Sequence, residues 1–473
     1  MYTMYANAQI GLAPRYDFRL HAFEFRIREI KIADSLFYIA VKCDTMKKLI
    51  FLLQACFAFT FCAWGQKTYL YCGRLIDGSS NTVRKAVTIV VDGKRIVQIK
   101  SGYLKADPDD RVIDLKNRTV LPGFIDCHVH LEFQQSKSSF SDGFRNNEAD
   151  VAFLSATYAK ATLMAGFTTV RDLGGSGVNV SLRNAINKGV AIGPNILTAG
   201  KAISASGGHM DESVGLREGA YRHTPGPEDG VADGTDEAVK AVRYRFKEGA
   251  DLIKIASTGG VLDLSKDGTG AQFSIKEIQA IVSTAQDYGM PVACHAHGAE
   301  GIRRAILGGV NSIEHGTFMN NECMELARKH GVWLVPTLTA GRAVADSAKI
   351  PGFFPQVVAG KAAMVGPQIQ KTFAKAFKAG VKIAFGTDAG VYPHGKNYLE
   401  FGYMTEAGMP VMEAIKAATA NAAELLGISK DRGGITIGKI ADIIALDGDP
   451  LRDMAAFGRV IFVMKEGTVY KGQ

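Results

Sequence analysis

The stretch Phe124-Ile125-Asp126-Cys127-His128-Val129-His130 ends an apolar run on two histidines, and Lys254, His295, His315 and Asp388 stand in or just beyond later apolar runs. Residues i and i+2 of a strand point the same way, so His128 and His130 direct both imidazoles at one point past the strand's carboxyl end. His295 and His297 repeat that spacing, and two such pairs among only 10 histidines make coincidence a poor explanation. Imidazoles backed by a carboxylate suit zinc, with manganese or cobalt as substitutes. A divalent cation held this way makes water a nucleophile near neutral pH, so the chemistry on offer is hydrolysis. Because His295 and His297 share a face, their spacing leaves open which of the two is the ligand.

Donors so far apart in sequence need a scaffold that gathers strand ends. Strand-like runs at 120–130, 168–172, 195–199, 252–257, 291–297, 312–315, 332–337 and 382–387 alternate with helix-like stretches such as 237–248. The alternation implies an α/β fold, a closed parallel (β/α)8 TIM barrel with catalytic groups at the carboxyl ends of its strands. Gly166, Gly249, Gly289, Gly309, Gly331 and Gly380 each separate a helix-like segment from the next strand, the place for a left-handed helix cap. Short β-rich runs at 68–72, 86–91, 95–100 and 111–114 are matched by 442–446 and 460–465 near the other end. They predict a small β-sandwich formed by the N- and C-terminal segments, 66–121 and 431–473, around a barrel at 122–430.

With 473 residues, 47% of them hydrophobic and 22% charged, the chain has ordinary globular composition and length for a large core, which excludes disorder. The formal charge of +8 is modest, and no Lys/Arg block is long enough to follow a phosphate backbone, so no nucleic-acid partner is expected. Met46-Lys47-Lys48 and the apolar 49–63 read as a signal peptide over 46–65, too short for a confident membrane span. On this reading 1–45 lies upstream of the natural start, and the mature chain begins near Gln66. It would be periplasmic or secreted with no stable membrane span after processing; a lipoprotein anchor at Leu53-Gln54-Ala55-Cys56 is the lesser alternative. The 7 cysteines form no spaced framework. Cys127 and Cys294 lie beside candidate ligands but on the opposite alternation, as small packing residues do.

The motifs together resemble the amidohydrolase superfamily, in the imidazolonepropionase-like branch with metal-dependent Xaa-Pro dipeptidases, Xaa-Lys/Arg carboxypeptidases and ochratoxinase. They are Pro122-Gly123-Phe124-Ile125-Asp126-Cys127-His128-Val129-His130, Ile253-Lys254-Ile255, His295-Ala296-His297-Gly298, Ile313-Glu314-His315-Gly316-Thr317 and Gly386-Thr387-Asp388, with Gly438-Lys439-Ile440-Ala441-Asp442 in support. The resemblance implies two divalent metal ions, zinc by default. His128, His130 and Asp388 would hold the first, His295 and His315 the second, and Lys254 would bridge them as N6-carboxylysine. A carbamate offers two anionic oxygens where an ammonium would repel both cations, and burial favours the neutral amine that carboxylation needs. Asp388 would also serve as general base, and His297 would face the substrate and hold the developing oxyanion.

The function so implied is cleavage of amide bonds in dipeptides or N-acyl amino acids by a metal-bound hydroxide. The competing expectation is a cyclic amidase or deaminase of small nitrogen heterocycles, because Glu300, three residues beyond His297, imitates the His-x-x-Glu pattern of mononuclear deaminases. Loops after barrel strands shape the pocket. His209 in Ser206-Gly207-Gly208-His209, and Tyr221, Arg222 and His223 further along, are therefore expected substrate contacts. Assembly into a homo-oligomer is expected as well.

Overall fold

The computed structural model describes residues 66–217, 219, 223–265 and 267–472. The expected signal peptide at 46–65, the upstream segment 1–45, and Tyr221 and Arg222 lie outside them. No helix among the described residues is long and apolar enough to cross a membrane.

The chain starts with strands β1 (Thr68–Ile76), β2 (Val83–Asp92), β3 (Arg95–Ser101) and β4 (Arg111–Pro122). Seven parallel strands follow: β5 (Phe124–Val129), β6 (Phe167–Asp172), β7 (Asn195–Thr198), β8 (Ile253–Ala256), β9 (Val292–Ala296), β10 (Ser312–His315) and β11 (Trp333–Val335). It closes with β12 (Ile443–Leu446), β13 (Val460–Lys465) and β14 (Thr468–Lys471). Every residue of β5, β6, β8, β9, β10 and β11 is buried, as strands covered on both faces must be. Helices such as Glu148–Met164, Ile275–Asp287 and Gln356–Lys378 alternate with them. All six glycines read as helix ends have positive φ, from 67° to 95°.

The parallel strands form ladders β5-β6-β7 and β8-β9-β10-β11. Ile203, just past β7, pairs with Ile255 of β8, so the ladders meet on one side. On the other, the run 382–389 lies between β11 and β5: Leu334 N–H donates to Lys382 O at 2.8 Å and Cys127 N–H to Phe385 O at 2.8 Å. The two ladders are thus linked on both sides. The eighth run is hydrogen-bonded on both sides without being a regular strand. Phe385 turns its own N–H to Ala417 O, and Gly386 packs so close that a Cβ there would stand 2.2 Å from Val335.

Two other boundaries differ from expectation. The run 120–130 is two strands in different sheets, divided at Gly123, whose N–H bonds Asp442 O while the next N–H bonds Gly166 O. A Cβ on Gly123 would stand 2.1 Å from Thr168 Oγ1, so glycine alone allows this handover. The run 332–337 stops at Val335, and Thr337 turns left-handed with φ 52°.

The two ends of the chain join in one seven-stranded sheet, β14-β13-β12-β4-β1-β2-β3. β14 carried no sequence signal that set it apart. The sheet coils around its own core of Leu70, Val87, Ile89, Ile113, Ile443 and Phe462. Its far edge returns to the start of β12 through Ala441 N–H to Lys94 O, 2.8 Å. The expected sandwich is thus one continuous coiled sheet. Phe124 at the start of β5 joins Phe167 (ring centroids 5.5 Å), Phe401 (4.9 Å) and Phe457 (6.0 Å) where this sheet meets the parallel strands.

Phe124→Ala is expected to lower unfolding stability by about 3–5 kcal/mol, because the ring is fully buried and its neighbours cannot collapse into the gap. Chemical denaturation measures it, and a loss under about 1 kcal/mol would show that the aromatic cluster does not hold the two parts together.

Candidate active site

The carboxyl ends of the parallel strands converge as the alternation requires. His128 is in β5 and His130 one residue beyond it; Lys254 is in β8, His295 in β9 and His315 ends β10. Asp388 is brought up by its own N–H, which donates to His128 O at 2.7 Å. Five non-glycine residues have positive φ among those described, and three of them, His315 (70°), Thr337 (52°) and Asp388 (59°), belong to this cluster. Such backbone persists where surrounding structure dictates it, and functional sites are where it gathers.

Asp388 Oδ1 stands 3.5 Å from His128 Nε2 and 3.4 Å from His130 Nε2. Ligand atoms of the three residues all lie within 4.8 Å of one another. Two donors about 2.1 Å from one tetrahedral cation are about 3.4 Å apart, so this trio fits a metal. The other histidines crowd in beside it. Ring centroids are 5.0 Å apart for His128 and His315, 4.7 Å for His295 and His315, 4.7 Å for His295 and His297, and 5.0 Å for His297 and His315.

Each imidazole is oriented from behind. His130 Nδ1 faces Gly174 O at 2.9 Å, His128 Nδ1 faces Glu314 Oε2 at 2.9 Å, and His295 Nε2 faces Gly259 O at 3.1 Å. A carbonyl or carboxylate only accepts, so those nitrogens carry the hydrogen and the opposite nitrogen keeps the lone pair a metal needs. His315 Nδ1 and His297 Nδ1 instead meet hydroxyls, of Thr337 and Thr317, each at 2.7 Å. Burial pushes His128, His295 and His315 far below the ordinary imidazole range and takes His130 and His297 down to about 3, with the nearby Lys254 charge a further cause for His130. Neutral rings are the form that binds cations.

Lys254 is fully buried and its Nζ has no hydrogen-bond partner. Burial lowers the proton affinity of its amine and raises that of the Asp388 carboxyl. A buried amine without a partner costs several kcal/mol, about 2–7 on small-molecule scales, unless something occupies the space before it.

Charged residues beneath the cluster carried no weight in the sequence reading. Glu314 takes Nδ1–H of His128 on Oε2, and on Oε1 it accepts from Arg171 Nη2 (2.8 Å) and Ser312 Oγ (2.5 Å). Arg171 Nε also donates to Cys127 O at 2.6 Å. Asp126 accepts from the N–H groups of His128 and Thr387, Thr387 Oγ1 and Asn397 Nδ2, and burial still raises it to about 6. The available signal was a charged side chain in the middle of an apolar strand, which must find an interior partner. Cys127 and Cys294 are buried among apolar neighbours, as their alternation indicated.

Of the expected substrate contacts, His209 joins the cluster, with its ring 4.2 Å from that of His295. His223 has a side chain 57% exposed and holds Asp229 Oδ2 at 2.8 Å. Glu300 is exposed and occupied by Arg303 and Arg304, so the His-x-x-Glu spacing brings no acid to the site.

Residues 119–470 match the amidohydrolase family. Ochratoxinase from Aspergillus niger is 32% identical over 432 residues, 86% of this chain and 87% of the relative. A solved Xaa-Pro dipeptidase with methionine bound in its active site is 49% identical, covers 86% of this chain and 100% of its own, and superposes with a TM-score of 0.84. A prolidase complexed with N-methylphosphonate-L-proline is 32% identical with the same coverages and a TM-score of 0.78.

Glu314→Gln is expected to weaken metal retention at least tenfold, since an amide no longer dictates which His128 nitrogen carries the hydrogen. Metal bound per chain, measured against a graded chelator series, reads it. Retention equal to wild type in a folded variant would remove Glu314 from the metal-orienting role.

Proposed function

The chain belongs to the amidohydrolase family and is a hydrolase of carbon–nitrogen bonds, and from that premise we propose that it cleaves the amide bond of dipeptides or N-acylated amino acids at a two-cation site on a (β/α)8 barrel. The observation that carries this reading is Lys254, whose Nζ is buried and unpartnered beside both histidine groups. Carboxylated on that nitrogen, it would turn a repulsive ammonium into a two-oxygen bridge. His128, His130 and Asp388 would hold one cation, and His295 and His315 the other, with zinc suited to the donors. Bound there, the cations supply Lewis acidity and lower the pKa of water toward neutrality.

The chain's own groups do the rest. Asp388, with Oδ1 turned to His128 and His130, takes the proton of the attacking water on its carboxylate and passes it to the leaving nitrogen, so that an acid and an amine result. Burial raises its proton affinity, which suits a group that must hold a proton between the two steps. His297 Nδ1 meets the Thr317 hydroxyl, which can donate to it; in that tautomer the ring proton would sit on Nε2, able to meet the scissile carbonyl oxygen as charge builds on it. The similarity to an Xaa-Pro dipeptidase at 49% identity and to a prolidase supports dipeptides ending in proline among the substrates. His209, Tyr221, Arg222 and His223 remain our candidates for gripping the substrate's ends. The leader pattern at 46–65 supports a periplasmic or secreted enzyme.

Turnover of an Xaa-Pro dipeptide is expected to vanish with a strong chelator and return with zinc or manganese; activity that survives complete metal removal would overturn the reading. His315→Ala should abolish turnover with melting temperature nearly unchanged. Lys254→Ala should be inactive and partly restored by short carboxylic acids, whereas full activity without added acid would exclude the bridge.

A further inference from the structure

A second buried lysine, outside the ligand set, is linked to the cluster through Asp263 and His209. Lys361, on the helix Gln356–Lys378, has a side chain 6% exposed and donates from Nζ to Asp263 Oδ1 (2.8 Å), Asp263 O (2.9 Å) and Ser265 O (2.9 Å). Asp263 Oδ2 in turn stands 2.5 Å from Nδ1 of His209. The segment that carries Asp263 is bound to the helix by apolar contacts among Val261, Leu262, Ala362 and Val365.

The His209 ring is held by several neighbours. Its backbone N–H donates to Gln272 Oε1 at 3.0 Å, and Gly260 packs against it so closely that a Cβ would stand 2.0 Å from the imidazole Cε1. His295 covers it from another side. The Asp263 carboxylate accepts, so Nδ1 carries a hydrogen and Nε2 is the ring nitrogen turned away from that bond. No group among the described residues hydrogen-bonds that atom. Its ring stands 4.2 Å from that of His295, which puts His209 at the edge of the histidine cluster.

We propose that Lys361 and Asp263 are positioning residues that hold His209 with Nε2 as a hydrogen-bond acceptor for the free amino end of a dipeptide. A pocket acceptor needs a donor on the substrate. Beside the scissile carbonyl, an Xaa-Pro dipeptide has no amide N–H, and its α-amino group is the donor that remains. In an N-acyl amino acid such as N-acetyl-proline the acyl group carries no nitrogen, so that donor is missing altogether. The site thereby selects unblocked dipeptides over N-acylated amino acids. This rests on the amide-hydrolase reading above.

The test compares Ala-Pro with N-acetyl-proline on the metal-loaded full chain, wild type against Asp263→Asn. An asparagine can donate to Nδ1, which moves the ring hydrogen to Nε2 and turns the acceptor into a donor. KM for Ala-Pro should rise about tenfold, the worth of one hydrogen bond to a charged group, with kcat changed far less and the KM for N-acetyl-proline unmoved. If Asp263→Asn does not fold, Lys361→Met, which frees the carboxylate without removing it, should give the same substrate-selective split with smaller amplitude. Equal KM shifts for both substrates, or no shift, would overturn the positioning role while leaving the hydrolase intact. Absence of turnover of either compound by wild type would overturn the hydrolase reading, and this proposal with it.

Discussion

An amine buried beside neutral imidazoles, with nothing to bond to, is the constraint around which the molecule is arranged. Desolvating Lys254 without a partner works against folding, and the strand that carries it is interior on every face. The backbone cannot relieve this, because β8 is fixed between Ile203 on one side and β9 on the other. The unmet hydrogen-bonding capacity is therefore retained at the convergence of the strand ends, beside the histidines.

A site of this kind needs rings that are both neutral and correctly turned. Burial supplies the first property, and hydrogen bonds from behind supply the second. Gly174 O, Gly259 O and Glu314 each take a ring hydrogen and point the opposite lone pair inward. Glu314 would itself be an expensive buried charge were Arg171 and Ser312 not bonded to its other oxygen. The outer layers are thus not separable from the donors. Asp126 ties β5 to the irregular eighth run, and so places Asp388 opposite His128.

The distance between sequence and structure is instructive at particular residues. The paired histidines were legible because a strand's period of two leaves no freedom about which side they share. Helix-ending glycines were legible because a left-handed cap has a strong residue preference, and all six adopt it. The break at Gly123 was hidden, since one uninterrupted apolar run serves two sheets and the pattern has no mark where hydrogen-bonding partners change. Glu300 misled for the opposite reason: its spacing is local, and the helix that follows turns it toward Arg303 and Arg304.

Residue type and spacing alone determined the donor inventory, the order in which strands deliver it, and the alternating α/β plan, because these follow from chain periodicity and side-chain chemistry. Tertiary structure decided what periodicity cannot encode. It set which nitrogen of each imidazole faces inward, which charges beneath the site neutralise one another, that His209 belongs to the cluster, and that Lys254 meets no partner. Those outcomes depend on atoms brought within about 3 Å from positions tens to hundreds of residues apart, and only the closed packing of the folded chain fixes such distances.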